Sequence, residues 1–296
     1  MSSLHAAVLP GRALVRVAGT DARAFLDRLV TADVEAIPEG GAGHGALLSP
    51  QGKILTDFLI VPMGADHLLD LPAAAAADLV KRLTLYKLRA AVTVADVSDD
   101  LAVVALWGDG APPTMPGHVV ADPRHAALGW RAYVPASAAA AAAAFPGALI
   151  ETADAYAAHR AALGIVEGGA DYALGDAFPH DAALDQNAGV AFDKGCFVGQ
   201  EVVSRMQHRG TARRRPVLVT AESALPAPGT EITAAGRSIG ALGTVAGNEG
   251  LAIVRLDRAK AARDAGAPVL AGAVAVTLAL PGHVRYGWPE SADGDA

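Results

Sequence analysis

Cysteine is almost missing from this chain: one occurs in 296 residues. A single thiol closes no intramolecular disulfide and builds no metal site by itself. The nine histidines show no paired ligand spacing, so a zinc site is not expected. Positive charge is also in deficit. The net charge of −7 argues against a general nucleic-acid binder. No run of about 18 apolar residues is free of charges and breakers, so no membrane span is expected. Residues 1–19 hold a strand-like segment, no signal-peptide h-region and too few arginines for a mitochondrial presequence. A cytoplasmic protein is the expectation. Aromatics are scarce at 5%, yet hydrophobic residues reach 52%, enough for a large core and incompatible with disorder.

What is present concentrates in one run, Asp193-Lys194-Gly195-Cys196-Phe197-Val198-Gly199-Gln200-Glu201, which holds the lone cysteine. Its glycines let the backbone approach a ligand closely or take positive φ. Lys194 stands two positions before Cys196, and a thiol beside a fixed cation ionises more readily. Val202, Val203 and Met206 have helical spacing, which predicts a helix over 200–207 ending near Gly210. Cys196 then precedes a helix N-terminus, whose partial positive charge also favours a thiolate. A small buried cysteine that only packs is the ordinary fate of a lone thiol. The Lys-Gly-Cys-x-x-Gly-Gln-Glu setting favours a reactive one. Arg205, His208, Arg209, Arg213, Arg214 and Arg215 crowd after the motif, as a solvated face or as an anion site.

Along the chain, a strand over 13–17 and a turn at Gly19-Thr20-Asp21 lead to a capped helix over 22–30. Residues 46–48 and 54–61 read as a hairpin closed by Ser49-Pro50-Gln51-Gly52, a type I turn by composition. Helices are expected over 73–88, 137–145 (an alanine tract) and 152–163, and strands over 91–97, 101–107 and 130–134. This irregular alternation predicts an α+β fold. After Arg215 the pattern changes to short apolar runs broken by Pro and Gly, which predicts a small β-barrel with one short helix over 259–265. The expected organisation is an α+β region over 1–212 with two subdomains, a barrel over 213–288, and a disordered polar tail over 289–296.

The run Lys194 to Glu201 resembles the signature of the YgfZ proteins, folate-binding relatives of the aminomethyltransferase (T-protein, GcvT) of the glycine cleavage system. Ser204-Arg205-Met206-Gln207-His208-Arg209-Gly210 and His159-Arg160-Ala161-Ala162-Leu163-Gly164-Ile165 followed by Asp171 resemble the same family. So do Val17 to Ala22, Phe25-Leu26 and Thr31 to Val34. Gly229 to Ile232 and Gly236 to Gly240 are similar to the T-protein's C-terminal barrel. The resemblance implies a GcvT-like multidomain fold whose N-terminal α+β region binds tetrahydrofolate or a derivative.

It also implies an accessory factor for assembly or repair of iron–sulfur clusters in client enzymes, including tRNA-modifying radical enzymes. Four thiolates are the usual cluster ligand set, so a cluster held within this one chain is not expected. Partners would be the folate and iron–sulfur client or assembly proteins, with no membrane, no stable nucleic acid, and a monomeric chain. Cys196 would be the working thiol and Lys194 its activator. Gln200 and Glu201 would orient the loop or ligand, Arg205 would hold an anion such as the folate glutamate tail, and Asn187 would contact the pterin or the backbone. Asp57 matches one of two adjacent T-protein acids, as a folate contact or else a solvent-facing strand residue. The T-protein's pterin-binding glutamate falls on Ala162, so that contact is missing. Two other readings stay open: a folate-dependent aminomethyl- or methyltransferase of the T-protein type, and a folate-sensing module without chemistry.

Overall fold

The computed structural model describes residues 4–210 and 212–289. In chain order, β1 (Leu4–Val8), β2 (Arg12–Ala18) and α1 (Ala22–Leu29) precede β3 (Gly43–Leu48), β4 (Ile54–Met63) and β5 (Asp66–Pro72). Next come α2 (Ala76–Tyr86), β6 (Thr93–Asp96), β7 (Leu101–Gly108), β8 (His118–Ala121) and β9 (Trp130–Pro135). Then follow α3 (Ala139–Ala143), β10 (Ala148–Ile150), α4 (Ala153–Ala162) and, after a long irregular stretch, α5 (Gln200–Arg209). The remainder is β11 (Arg214–Ala221), β12 (Glu231–Ala234), β13 (Arg237–Ala246), β14 (Glu249–Arg255), α6 (Leu256–Asp264), β15 (Val269–Ala271) and β16 (Val274–Ala279).

Two five-stranded sheets form, in the orders β3-β4-β5-β2-β6 and β10-β1-β7-β9-β8. They pack face to face through Leu14, Val61 and Leu68 of the first and Ala7, Val103, Ala105 and Tyr133 of the second. The outer face of the first sheet is covered by α1 and α2, through Phe25, Leu26, Leu79 and Leu83. The outer face of the second is covered by the alanine helix α3. The result is four layers, helix–sheet–sheet–helix. The strands between helix and sheet are buried on both faces, so they lack the alternation that marks a half-exposed strand.

The third body is a closed six-stranded barrel, β11-β14-β13-β12-β15-β16, sealed where β11 pairs with β16. The alanine tract is helical for five residues only, after a 3₁₀ turn over Ala136–Ala138. The expected strands omitted β1, β5, β8, β10 and β15. The expected cap of α1 is also different. Asp21 stands at the N-cap, but its carboxylate accepts from the Ala91 amide at 2.8 Å instead of from its own helix. The tail expected to be disordered lies outside the described residues from position 290 onward.

Between the two sheets the strands put charges where the pattern calls for apolar side chains. Asp70 of β5 shares a face with Leu68, and Arg12 of β2 with Leu14. Arg131 and Tyr133 of β9 face them. Asp70 accepts from Arg12 Nε at 2.6 Å, from Arg131 Nη1 at 3.1 Å and from the Tyr133 hydroxyl at 3.1 Å. Arg131 and Asp70 have no exposed side-chain surface. Arg131 also lies 3.5 Å from Asp122, which is held by Arg124 at 2.7 Å. Burial pushes the carboxyl of Glu167 up, but Arg12, Arg160 and Arg124 outweigh it and bring its pKa down to about 2.

A buried pair that loses one partner leaves an uncompensated charge, which costs about 3–5 kcal/mol. Arg131→Met is therefore expected to lower unfolding free energy by about that amount in urea titration. A loss below about 1 kcal/mol would show that Asp70 is satisfied without it.

Candidate functional site

The segment from Asn187 to Gln200 runs along the N-terminal region and is tied to it at close intervals. His44 of β3 donates from Nδ1 to the Asn187 carbonyl at 2.9 Å. The Thr31 hydroxyl donates to the Gly189 carbonyl at 2.6 Å and accepts from the Ala46 amide at 2.8 Å. The Ala191 amide donates to the Thr31 carbonyl at 2.9 Å. Lys194 then inserts its ammonium into the C-terminal end of α1. There it donates to Asp27 Oδ1 at 3.0 Å, to the Val30 carbonyl at 3.2 Å, and to the carbonyls of Asp27 and Ala32. A helix end leaves carbonyls without partners and carries partial negative charge, so it is a natural seat for a cation.

Lys194 is thus a clip. Its side chain is 2% exposed. These acceptors seat its charge at the end of α1, two residues before the thiol. Phe197 on the far side is buried among Leu48, Ile54, Val203 and Leu251. Gly199 adopts φ +80, and a Cβ there would lie 2.7 Å from the Ser49 carbonyl and 3.1 Å from Gly52 Cα. The hairpin turn at Ser49 to Gly52, closed by Gly52 N to Ser49 O at 2.8 Å, is therefore the floor of the motif. With Lys194, Phe197 and Gly199 all turned inward, Cys196 between them is exposed.

The buried end of the segment is polar. Asp57 on β4 is 5% exposed, which overturns the solvent-facing reading. Among the described residues its Oδ1 and the buried Tyr172 hydroxyl have no polar partner other than each other. Burial, then the neighbouring Asp57 charge, holds the Tyr172 pKa well above its usual value. Gly168 completes the contact, since a Cβ there would lie 2.2 Å from Asp57 Oδ1. Burial and then Arg124 lower the pKa of His44, so its ring is neutral near pH 7. Asn187 is buried, and its Oδ1 accepts from His283 Nε2 at 2.9 Å.

Of the residues singled out in the sequence, Asp57 and Asn187 are brought to one neighbourhood through His44. Gln200 begins α5 and is partly exposed. Glu201 and Arg205 pair with each other at 2.6 Å on the outer face of α5, with side chains 85% and 56% exposed. This pairing sets both apart from the buried Asp57 and Asn187. Ala162 is exposed at the end of α4. His44, Tyr172 and Arg124 went unnoticed. A polar residue inside an otherwise apolar strand, as His44 is in β3, is the signal that could have found the first of them.

Residues 12–145 match the family described as the GCVT N-terminal domain, and residues 213–286 match CAF17, C-terminal beta-barrel domain. The fold is similar to that of glycine cleavage system aminomethyltransferase T from Bartonella henselae. The TM-score is 0.73 over 94% of this chain and 84% of that one, at 18% identity. The fold is therefore GcvT-like in its N-terminal region, with a C-terminal six-stranded barrel. In sequence the chain is similar to iron–sulfur cluster assembly factor IBA57, mitochondrial, of Mus musculus, at 33% identity over 85% of this chain and 78% of that one. The Homo sapiens protein of the same name is 30% identical, over 95% and 84%. The homologue from Mycosarcoma maydis is 34% identical over 73% of this chain, which spans 57% of that relative's length. These relatives are IBA57 proteins, a family related to YgfZ, and not YgfZ itself. Their names also say mitochondrial, which overturns the cytoplasmic expectation.

The two glycines of the loop separate packing from mere flexibility. Gly199→Ala is expected to destabilise by roughly 1–3 kcal/mol, through its positive φ and its clash with the hairpin turn. Gly195→Ala, with no atom within 4 Å of the added carbon, should be near neutral. Urea unfolding of the two variants checks the contrast, and equal effects would show that the hairpin does not seat the loop.

Proposed function

This chain belongs to the IBA57 family of iron–sulfur cluster assembly factors, and we propose that Cys196 is the thiol through which it acts. The observation that carries the reading is the exposure of the only cysteine on a loop clamped at both sides. A lone thiolate fills at most one of the usual four cluster positions. A cluster handled here therefore takes its remaining ligands from a partner, and a thiol serving that purpose must stand clear of its own core. The cluster is cargo, delivered to or repaired in client enzymes, tRNA-modifying ones among them.

Tetrahydrofolate, the ligand that the GcvT-like fold implies, fits the buried end in kind. Asp57 Oδ1 and the Tyr172 hydroxyl are neighbouring buried polar atoms that, among the described residues, have only each other as partners. A pterin edge, with its alternating donors and acceptors, would satisfy both. Asn187 and His44 would position the adjoining backbone. When bound, tetrahydrofolate supplies nitrogens that carry one-carbon units and a ring that is readily oxidised. The alanine at 162 removes one acid from the pterin-binding set of the T-protein, which supports a role other than aminomethyl transfer.

Cys196→Ser should abolish support of cluster-dependent enzymes in cells lacking the chain and leave folate binding intact. Serine keeps the size and loses the soft, acidic sulfur. Full complementation by this variant would sink the thiol reading. Separately, tetrahydrofolate at 100-fold excess over its Kd should stabilise the protein by roughly 2.7 kcal/mol, seen as a rise in melting temperature. Asp57→Asn should reduce the rise. No rise at saturating ligand, with the protein folded, would remove folate from the account.

A further inference from the structure

Consecutive residues of α1 face different tasks. Asp27 anchors Lys194 and with it the loop that displays Cys196. Arg28 lines a groove of about 430 Å³ with Tyr86, Lys87, Leu88 and Arg89 at the end of α2. Among the described residues, Arg28, Lys87 and Arg89 form no ion pair or side-chain hydrogen bond. The groove's one carboxylate, Asp21, accepts from the Ala91 amide, and three cations line the groove against it. Leu85 is 65% exposed, Tyr86 36% and Leu88 87%. These are three of the five large hydrophobic side chains exposed among the described residues, gathered within four positions. Leu88 is held at φ +43, a conformation that side-chain-bearing residues rarely adopt.

The groove is thus locally basic and apolar on a chain of net charge −7. Such a site matches carboxylates surrounding an apolar residue. An anionic bilayer fits less well, because it favours a protruding apolar face with a broad basic field. We propose that the groove between α1 and the end of α2 docks a protein partner through an acidic segment bearing an apolar side chain. That places the partner beside the thiol loop. The partner's part in cluster handling rests on the function proposed above, whereas the docking itself does not.

The test places the photo-crosslinker p-benzoylphenylalanine at Leu88 of the full chain in cells and identifies adducts by mass spectrometry. The expected result is one dominant protein adduct, in a segment rich in Asp and Glu. Lys87→Glu combined with Arg89→Glu should reduce its yield on the order of 10-fold, with the melting temperature unchanged. If that variant fails to fold, raising salt to about 0.5 M with the original side chains should suppress the adduct of the purified pair. An adduct to a second copy or to a segment without carboxylates overturns the proposal. So does the absence of any adduct, or flotation of the chain with phosphatidylglycerol vesicles. The same adduct is read with Cys196→Ser. Full complementation by that variant with the adduct retained would refute the thiol reading and leave the docking site standing.

Discussion

Asp70 has no exposed surface, and its charge is met only by groups from two strands of its neighbourhood: Arg12 from its own sheet, and Arg131 with Tyr133 from the facing one. Apolar contacts between sheets tolerate sliding, because they are non-directional. A buried carboxylate does not, because each missing donor leaves charge in a medium that cannot solvate it. The pairing therefore fixes how the sheets stack. The same chain of charges continues outward. Arg12 reaches Glu167 at 3.2 Å, and Arg160 of α4 holds Asp171 at 2.6 Å. Asp171 in turn accepts from the Thr244 amide and hydroxyl of the barrel, each at 2.7 Å. Helix α4, the loop after it and the barrel are joined by hydrogen bonds as directional as those between the sheets.

That frame explains how an exposed thiol can sit on an ordered loop. The stretch from Asn187 to Gln200 has little secondary structure of its own. It borrows rigidity from β3 through His44 and Thr31, from the end of α1 through Lys194, and from the hairpin turn through Gly199. One end is joined through His44 to the neighbourhood of Asp57, and Cys196 lies near the other. A ligand filling the buried end would press on the same segment that presents the sulfur. The arrangement offers a physical route by which a bound cofactor could alter presentation of the thiol to a partner.

Much of the fold was legible. The helix over 22–30, the hairpin around Ser49 to Gly52, the helix after Gly199 and five of the six barrel strands rest on local spacing and turn chemistry. The strands β5, β8 and β10 were not legible, for different reasons. β5 reads Asp-His-Leu-Leu-Asp-Leu-Pro, with charges inside a strand buried on both faces, so neither alternation nor an apolar run marks it. β8 and β10 are edge strands of four and three residues, too short for a period to register. The candidate site was legible only where the chain is contiguous. The motif announced Cys196, but the roles of its neighbours depended on what lies across from them.

The sequence by itself determined that one thiol exists, that its loop is bounded by glycines and followed by a helix, and that the chain resembles folate-binding relatives of the T-protein. The tertiary structure alone decided that Lys194 is seated at a helix end and that Asp57 is buried beside Tyr172. The reason is that a charge takes its function from its nearest opposite charge or dipole. Lys194 and Asp27 are 167 positions apart in the chain, a separation that no local pattern spans.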